Sequence, residues 1–203
     1  MTLLVPLYKA VTAQENAKFW CVGNDSTEHA NNQFFISKGY KRLSSVFCMA
    51  RNLNAPISTI PLREEFSFSY WNMKTPEEEQ DYLRIEAEIW PDTPLGLHRL
   101  RSYKKHPHWT SMTIRQDDTL VAGLMAWQEE DYGVIEDVFV REEWRKNGLA
   151  KYLLAQGLHY LKEHNLAHVM LMVSPTNDSA LSLYESVGFY KDNEEMRYYI
   201  DLD

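Results

Sequence analysis

Cysteine is scarce: Cys21 and Cys48 are the only two in 203 residues. Two cysteines make no disulfide framework and no metal-ligand spacing. No stretch approaches the roughly 18 continuous apolar residues of a membrane span, so no membrane partner is expected. The opening MTLLVPLYKA lacks the basic start and long apolar run of a signal peptide, and the expected compartment is the cytoplasm. Basic residues are in the minority, 21 Lys and Arg against 29 Asp and Glu, for a net charge of −8. A general nucleic-acid binder needs a basic face, so no nucleic-acid partner is expected. The same balance favours a cationic substrate.

What is present suits a packed core. Apolar residues make up 44% and aromatics 13% of the chain, enough for one large or two small domains. FSFSYW (66–71) alternates as a strand does. TPEEE follows, with Thr75 as N-cap, Pro76 at the first helical position and Glu78 closing a capping box. This helix is predicted to run to Trp90 with Leu83, Ala87 and Trp90 on its inner stripe, and a second helix to span about 95–105. Three strands come next, at 109–116, 119–128 and 134–140, joined by turn residues as an antiparallel meander.

The pattern then changes. Residues 148–164 read as a long helix, AHVMLMV (167–173) as a buried strand, and 176–189 as a capped helix stopped by Gly188. EMRYYIDL (195–202) closes the chain as a strand. The order predicts a mixed α/β domain on one sheet, with parallel pairing only across the 148–164 helix.

The first sixty residues echo this second half. LLVPLYKAVTAQENAKFWCV (3–22) lies over LLAQGLHYLKEHNLAHVMLM (153–172) without a gap. ANNQFFISKGY (30–40) then matches ALSLYESVGF (180–189), and SSVFCMARNL (44–53) answers the terminal strand. Element order and spacing point to a tandem repeat. On this reading residues 1–55 are a half domain (helix, strand, helix, strand), 56–63 a linker with Pro56 and Pro61, and 64–203 a complete domain.

Arg145-Lys146-Asn147-Gly148 opens the long helix. The first turn of a helix has N–H groups without intrahelical partners and carries partial positive charge. A backbone that can be approached closely there makes an anion site, suited to a phosphate or pyrophosphate. Taken alone, the loop fits a tight strand-to-helix turn with solvated basic side chains equally well.

In this setting the chain resembles the GNAT acyltransferase superfamily, whose acyl-CoA loop is Arg/Gln-x-x-Gly-x-Gly/Ala. Arg145-Lys146-Asn147-Gly148-Leu149-Ala150 fits every defined position, and Asn177, Ala180, Tyr184, Gly188 and Phe189 fit the later Asn…Ala…Tyr…Gly-Phe pattern. The resemblance covers about 64–203 as a whole domain, and 1–55 as the part that follows the loop. It implies the GNAT acyl-CoA N-acyltransferase fold and acetyl-CoA as co-substrate, with no metal.

Residue roles follow from the resemblance. Backbone N–H groups from Lys146 to Ala150 would hold the pyrophosphate, and the strand edge at Val138, Phe139 and Val140 would bond the pantetheine arm where the sheet splays. Asn177 would lie near that arm, and Tyr184 would act as the acid toward the thioester sulfur. Glu136 is the first choice of base and Asp137 the second, because neighbouring strand residues face opposite sides. Tyr184 as a packed aromatic and Glu136 as a purely orienting carboxylate remain alternatives, as does core packing for Trp127 and Trp144.

The expected reaction is direct acetyl transfer to a primary amine, most simply a small cationic one. A peptide or protein N-acetyltransferase and a catalytically silent acyl-CoA-binding module are the other readings. KKHPHW (104–109) with His98 reads as a solvated loop, and the two cysteines as strand residues. The half domain has Phe34 or Phe35 where Tyr184 stands and no upstream glycine loop. It is expected to bind no CoA and to pack on the complete domain or on a second chain in a homodimer, forming a wall of the acceptor site.

Overall fold

The capping box written in Thr75-Pro76-Glu77-Glu78 forms as read: the Thr75 side chain accepts from the Glu78 N–H at 3.3 Å, and the Glu78 carboxylate accepts from the Thr75 N–H at 3.1 Å. It starts a helix of 14 residues, Pro76–Ile89. The computed structural model describes residues 19–202; the helix expected before the first strand lies outside them. The elements are β1 (Phe19–Asp25), α1 (His29–Ser37), β2 (Lys41–Asn52), β3 (Ser67–Tyr70), α2 (Pro76–Ile89) and α3 (Gly96–Tyr103). There follow β4 (Thr110–Gln116), β5 (Thr119–Glu129), β6 (Tyr132–Val140), α4 (Leu149–Glu163), β7 (His168–Val173), α5 (Asp178–Ser186) and β8 (Tyr190–Asp201). Among the described residues no helix is long and apolar enough to cross a membrane.

Two compact units make up the chain, one of residues 50–171 and 179–190, the other of 19–49, 172–178 and 191–202. In the larger unit the strand order is β7–β6–β5–β4–β3, with the last residues of β2 beside β7; Leu53 N–H donates to the Ala167 carbonyl at 2.8 Å. The β3–β4–β5–β6 pairs are antiparallel and β6–β7 is parallel. Helix α4 covers one face: side chains of Leu124 and Ile135 lie where a Cβ at Gly157 would meet them, and Leu161 lies over Gly133. Helices α2 and α3 cover the other face, where Tyr82, Leu100, Met125, Trp127 and Phe139 form one buried cluster.

The inner stripe of α2 differs from the expected one. Its buried residues are Glu79, Tyr82 and Glu86, whereas Leu83, Ala87 and Trp90 are only half-buried. Buried carboxylates are tolerated when they are paired. Glu79 accepts from Lys104 (2.5 Å) and Arg101 (2.9 Å), and Glu86 takes the Leu95 N–H on both oxygens at 3.0 and 2.9 Å.

In the smaller unit β1 runs antiparallel to β8 from Phe19↔Asp201 to Asp25↔Glu195, and β2 flanks β8 on its other side. Helix α1 is fastened through Asn32, which donates to the Asp25 carbonyl (3.0 Å) and accepts from the Tyr198 hydroxyl (3.0 Å). Cys48 is buried and Cys21 exposed.

Strand β6 packs tightly on β5 at one place. The Phe139 ring lies across Gly123, where a Cβ would come within 2.5 Å of a ring carbon. Tyr82 and Trp90 hold the same ring edge-on at 6.0 and 6.1 Å, so it has little freedom to yield. Gly123→Ala is therefore expected to cost about 1–3 kcal/mol of stability, read as a lower urea midpoint at unchanged slope.

Candidate active site

The extra residue in β6 decides which side chains meet. Ala122↔Val140 and Gly123↔Phe139 follow one register, while Met125↔Glu136 and Ala126↔Ile135 follow another, shifted by one. Two residues, Asp137 and Val138, thus stand opposite Leu124, which is a β-bulge. Asp137 adopts the left-handed conformation, φ 57°, which Asp tolerates better than most residues.

The bulge reverses the alternation of the strand. Ahead of it, Gly133 and Ile135 face α4 and Val134 faces the α2/α3 cluster, so Glu136 also points to α2 and α3. Beyond it, Asp137 and Phe139 point there too: Asp137 Oδ2 accepts from the wholly buried Tyr82 hydroxyl, and Phe139 sits in the cluster. The expectation that only one of Glu136 and Asp137 can enter the cleft is thereby corrected. Both do, because one inserted residue puts sequence neighbours on the same side.

Burial pushes the Asp137 carboxyl up to about 7; the charges of Glu86 and Glu136 add to the rise, and the Tyr82 bond and Arg99 oppose it. Helix α3 brings Arg99 and Tyr103 to the same place. The Arg99 guanidinium donates to the Tyr103 hydroxyl at 2.7 Å; burial pushes that hydroxyl's pKa up, the bond raises Arg99's against its burial, and the charge of Glu136 adds to both rises. Tyr103 stacks on Trp127 at 4.6 Å, and His106 stacks at 5.5 Å. Trp127 is accordingly core, with its Nε1 donating to Glu129 at 3.1 Å. Trp144 donates to Gln116 at 2.6 Å.

Tyr184 lies on α5, 8% exposed, edge-on to Phe189. Burial, with the charge of Glu136 second, pushes its hydroxyl up to about 12. It holds its proton at neutral pH and feels the charge of Glu136.

The β6–β7 ladder consists of Gly133↔Val169 and Val134↔Met170. Strand β6 runs on for six residues to Val140, through the bulge and the segment Val138–Val140. Gly148 caps α4 in the left-handed conformation (φ 77°) without any side-chain cap. Lys146 is left-handed as well, at φ 64°. A Cβ at Gly148 would meet nothing within 4 Å, so backbone geometry and open space, not a neighbour in the fold, ask for glycine there.

Around it Arg145 and Lys146 are exposed, Leu149 is buried and Ala150 half-buried. Arg145 Nε donates to the Val140 carbonyl at 3.2 Å. Asn147 bridges the Trp144 carbonyl (3.1 Å) and Arg63 (2.8 Å). Asn177, in the smaller unit, is exposed just ahead of α5 and donates its N–H to the Ser174 carbonyl at 3.0 Å. Uncapped first-turn amides, a left-handed glycine and two exposed cations fit a diphosphate. Among the described residues no group of three or more His, Cys, Asp or Glu is gathered as a metal site.

Sequence reasoning missed Tyr82, Arg99 and Tyr103. Tyr82 lies at helical spacing from Glu79 and Glu86, but only the bulge shows that it reaches β6.

Comparison with known proteins places the chain in a family. The profile of the acetyltransferase (GNAT) family matches residues 67–189. The chain is similar to a mycothiol acetyltransferase of Thermobifida fusca, 29% identical over 187 residues, covering 75% of this chain and 56% of that protein. It is also similar to the human N-alpha-acetyltransferase 30, 35% identical over 69 residues, covering 34% of this chain and 19% of that protein. The chain thus spans little more than half of the first relative's length, and less of the second's. A solved tandem GNAT protein from the clavulanic acid biosynthesis pathway shares the fold, with TM-score 0.71 at 12% identity, covering 95% of this chain and 67% of the other.

Asp137 generates a pH test. Its folded pKa is raised to about 7 from the ordinary aspartate value of 3.8. The folded state therefore keeps the proton that the unfolded chain has already lost, and stability falls as pH rises from about 4 to about 7, then levels off. Each tenfold gap in proton affinity is worth about 1.4 kcal/mol. Asp137→Asn keeps an acceptor for Tyr82 and is expected to lose this component, so its stability relative to the parent grows across the interval. Urea unfolding at stepped pH measures it.

Proposed function

The chain belongs to the acetyltransferase (GNAT) family, and on that footing we propose that it moves an acetyl group from acetyl-CoA to a primary amine by direct attack in a ternary complex. The observation that carries this reading is the β6–β7 ladder of two pairs, beyond which β6 continues toward an uncapped helix start. A strand edge of this kind bonds an amide-bearing arm as it would another strand, and the amides from Lys146 to Ala150 receive the diphosphate. Val138, Phe139 and Val140 would serve through their main chain, since the Phe139 ring is committed to the core.

The residues then have distinct tasks. An attacking amine must shed a proton, and a departing thiolate gains from receiving one. Asp137, held near 7 by burial, is a stronger base than an ordinary carboxylate, and Glu136 beside it holds the ammonium form before transfer. Once the ammonium has lost its first proton to solvent, the C–N bond forms and the C–S bond breaks; Asp137 takes the second proton from nitrogen and Tyr184 gives its own to sulfur. Solvent afterwards returns a proton to the phenolate and takes one from Asp137.

The acidic trio of Glu86, Glu136 and Asp137 behind the amine, with the overall charge of −8, supports a small cationic acceptor. The match to an N-alpha-acetyltransferase favours a peptide α-amine as the second reading. A panel holding a polyamine and a dipeptide separates the two.

Residues 1–55 we read as a repeat of the part after the loop. Strand, helix, left-handed glycine and twelve-residue strand recur as β1, α1, Gly39 (φ 86°), β2 and as β7, α5, Gly188 (φ 90°), β8. The bond Tyr40 N–H to Phe35 carbonyl (3.0 Å) repeats Phe189 N–H to Tyr184 carbonyl (3.1 Å). Phe35 thus stands in the place of Tyr184 and has no proton to give.

Tyr184→Phe is expected to lower kcat about 10²-fold or more with KM for acetyl-CoA nearly unchanged. Thiol release measured with and without amine checks it. Release at the parent rate in the variant would remove the acid role, and CoA binding without any amine-dependent release would leave only a binding module.

A further inference from the structure

Arg51, near the end of β2 in the larger unit, is 4% exposed. Burial lowers its pKa, and no charged neighbour opposes the shift. A guanidinium taken out of water is costly unless its donors are met. Here they are met by main-chain carbonyls: Nε to Val187 (2.7 Å), one terminal nitrogen to Pro56 (2.7 Å) and the other, loosely, to Asn52 (3.4 Å).

Val187 is the residue just past α5. Its carbonyl belongs to the negative end of that helix, where a cation is favoured. The turn that carries it also grips Tyr184. The Val187 and Phe189 N–H groups both donate to the Tyr184 carbonyl at 3.1 Å, and Gly188 N–H donates to Glu185 at 2.9 Å. Gly188 is left-handed (φ 90°), and a Cβ there would come within 3.0 Å of Arg51 Nε.

Helix α5 needs such a hold. It has nine residues, of which Tyr184 alone is buried, and a helix that short is marginal without tertiary support. We propose that Arg51 is a positioning residue for Tyr184: by clamping the Val187 carbonyl to the Pro56 carbonyl it fixes the end of α5 and so the place at which the phenol delivers its proton. This rests on the reading of Tyr184 as the acid. The planar fork is what the clamp uses; a lysine carries the charge but not the two directions.

A cavity of about 240 Å³ borders Arg51, Pro56, Val187 and Gly188. It gives the missing group room to be supplied from solution. In the full chain, Arg51→Lys is expected to lower kcat 10- to 100-fold, leave KM for acetyl-CoA within about twofold, and speed amide exchange at residues 183–189. In a Tyr184→Phe background the same change is expected to cost less than about threefold, because its effect passes through the hydroxyl. Arg51→Ala is expected to regain turnover with millimolar guanidinium and not with methylammonium.

Equal loss from Arg51→Lys in both backgrounds would overturn the proposal, and so would failure of guanidinium to restore a folded Arg51→Ala. Unaltered exchange with parental turnover in Arg51→Lys would remove the clamp and leave the acid role standing. Parental turnover in Tyr184→Phe would sink the acid role and this proposal with it.

Discussion

The left-handed backbone of Asp137 sets which side chains of the central strand meet beneath α2 and α3. Asp137 interrupts the register of β6 against β5. A residue held in that conformation costs of order 1–3 kcal/mol, which the surroundings must offset. They do so through the Tyr82 hydroxyl and through Phe139, wedged between Gly123, Tyr82 and Trp90. Without the inserted residue Asp137 and Phe139 would face α4, and the cluster beneath α2 and α3 would lose its aromatic keystone. The placing of the two carboxylates, the raised proton affinity of Asp137 and the packing of two helices are therefore one arrangement.

On the proposed reading of a repeat, one helix–turn–strand pattern is used twice with unequal chemistry. Helices α1 and α5 both end on a left-handed glycine that leads into a twelve-residue strand. In one the helix carries a hydroxyl set among acidic groups. In the other the matching ring, Phe35, tilts against Tyr198 at 5.7 Å and only packs. A repeated backbone is thus cheap to keep as a scaffold, while function is set by one oxygen atom and its neighbours.

Much of this was legible in the sequence because the signals are local. The Thr75 capping box, the glycines at 148 and 188 and the meander of β4 to β6 follow from residues within a few positions of each other. The failures involve distance or parity. VIEDVFV reads as an ordinary alternating strand, and nothing in it marks the bulge, since Asp is common in strands' ends and loops alike. The inner stripe of α2 differs from the expected one because the partners that let Glu79 and Glu86 be buried, Lys104, Arg101 and the Leu95 N–H, lie 9 to 25 residues away. Arg51 gives no local hint at all, for its partner Val187 lies 136 residues away.

The two-pair ladder between β6 and β7 has one further consequence. A main chain left with bonding groups to spare is completed only when something with amides of its own lies along it, and such a guest recognises the folded form alone. By mass action its concentration then adds to the free energy of unfolding. On the proposed reading, the supply of thioester would govern how long each molecule survives proteolysis, as well as how fast it turns over.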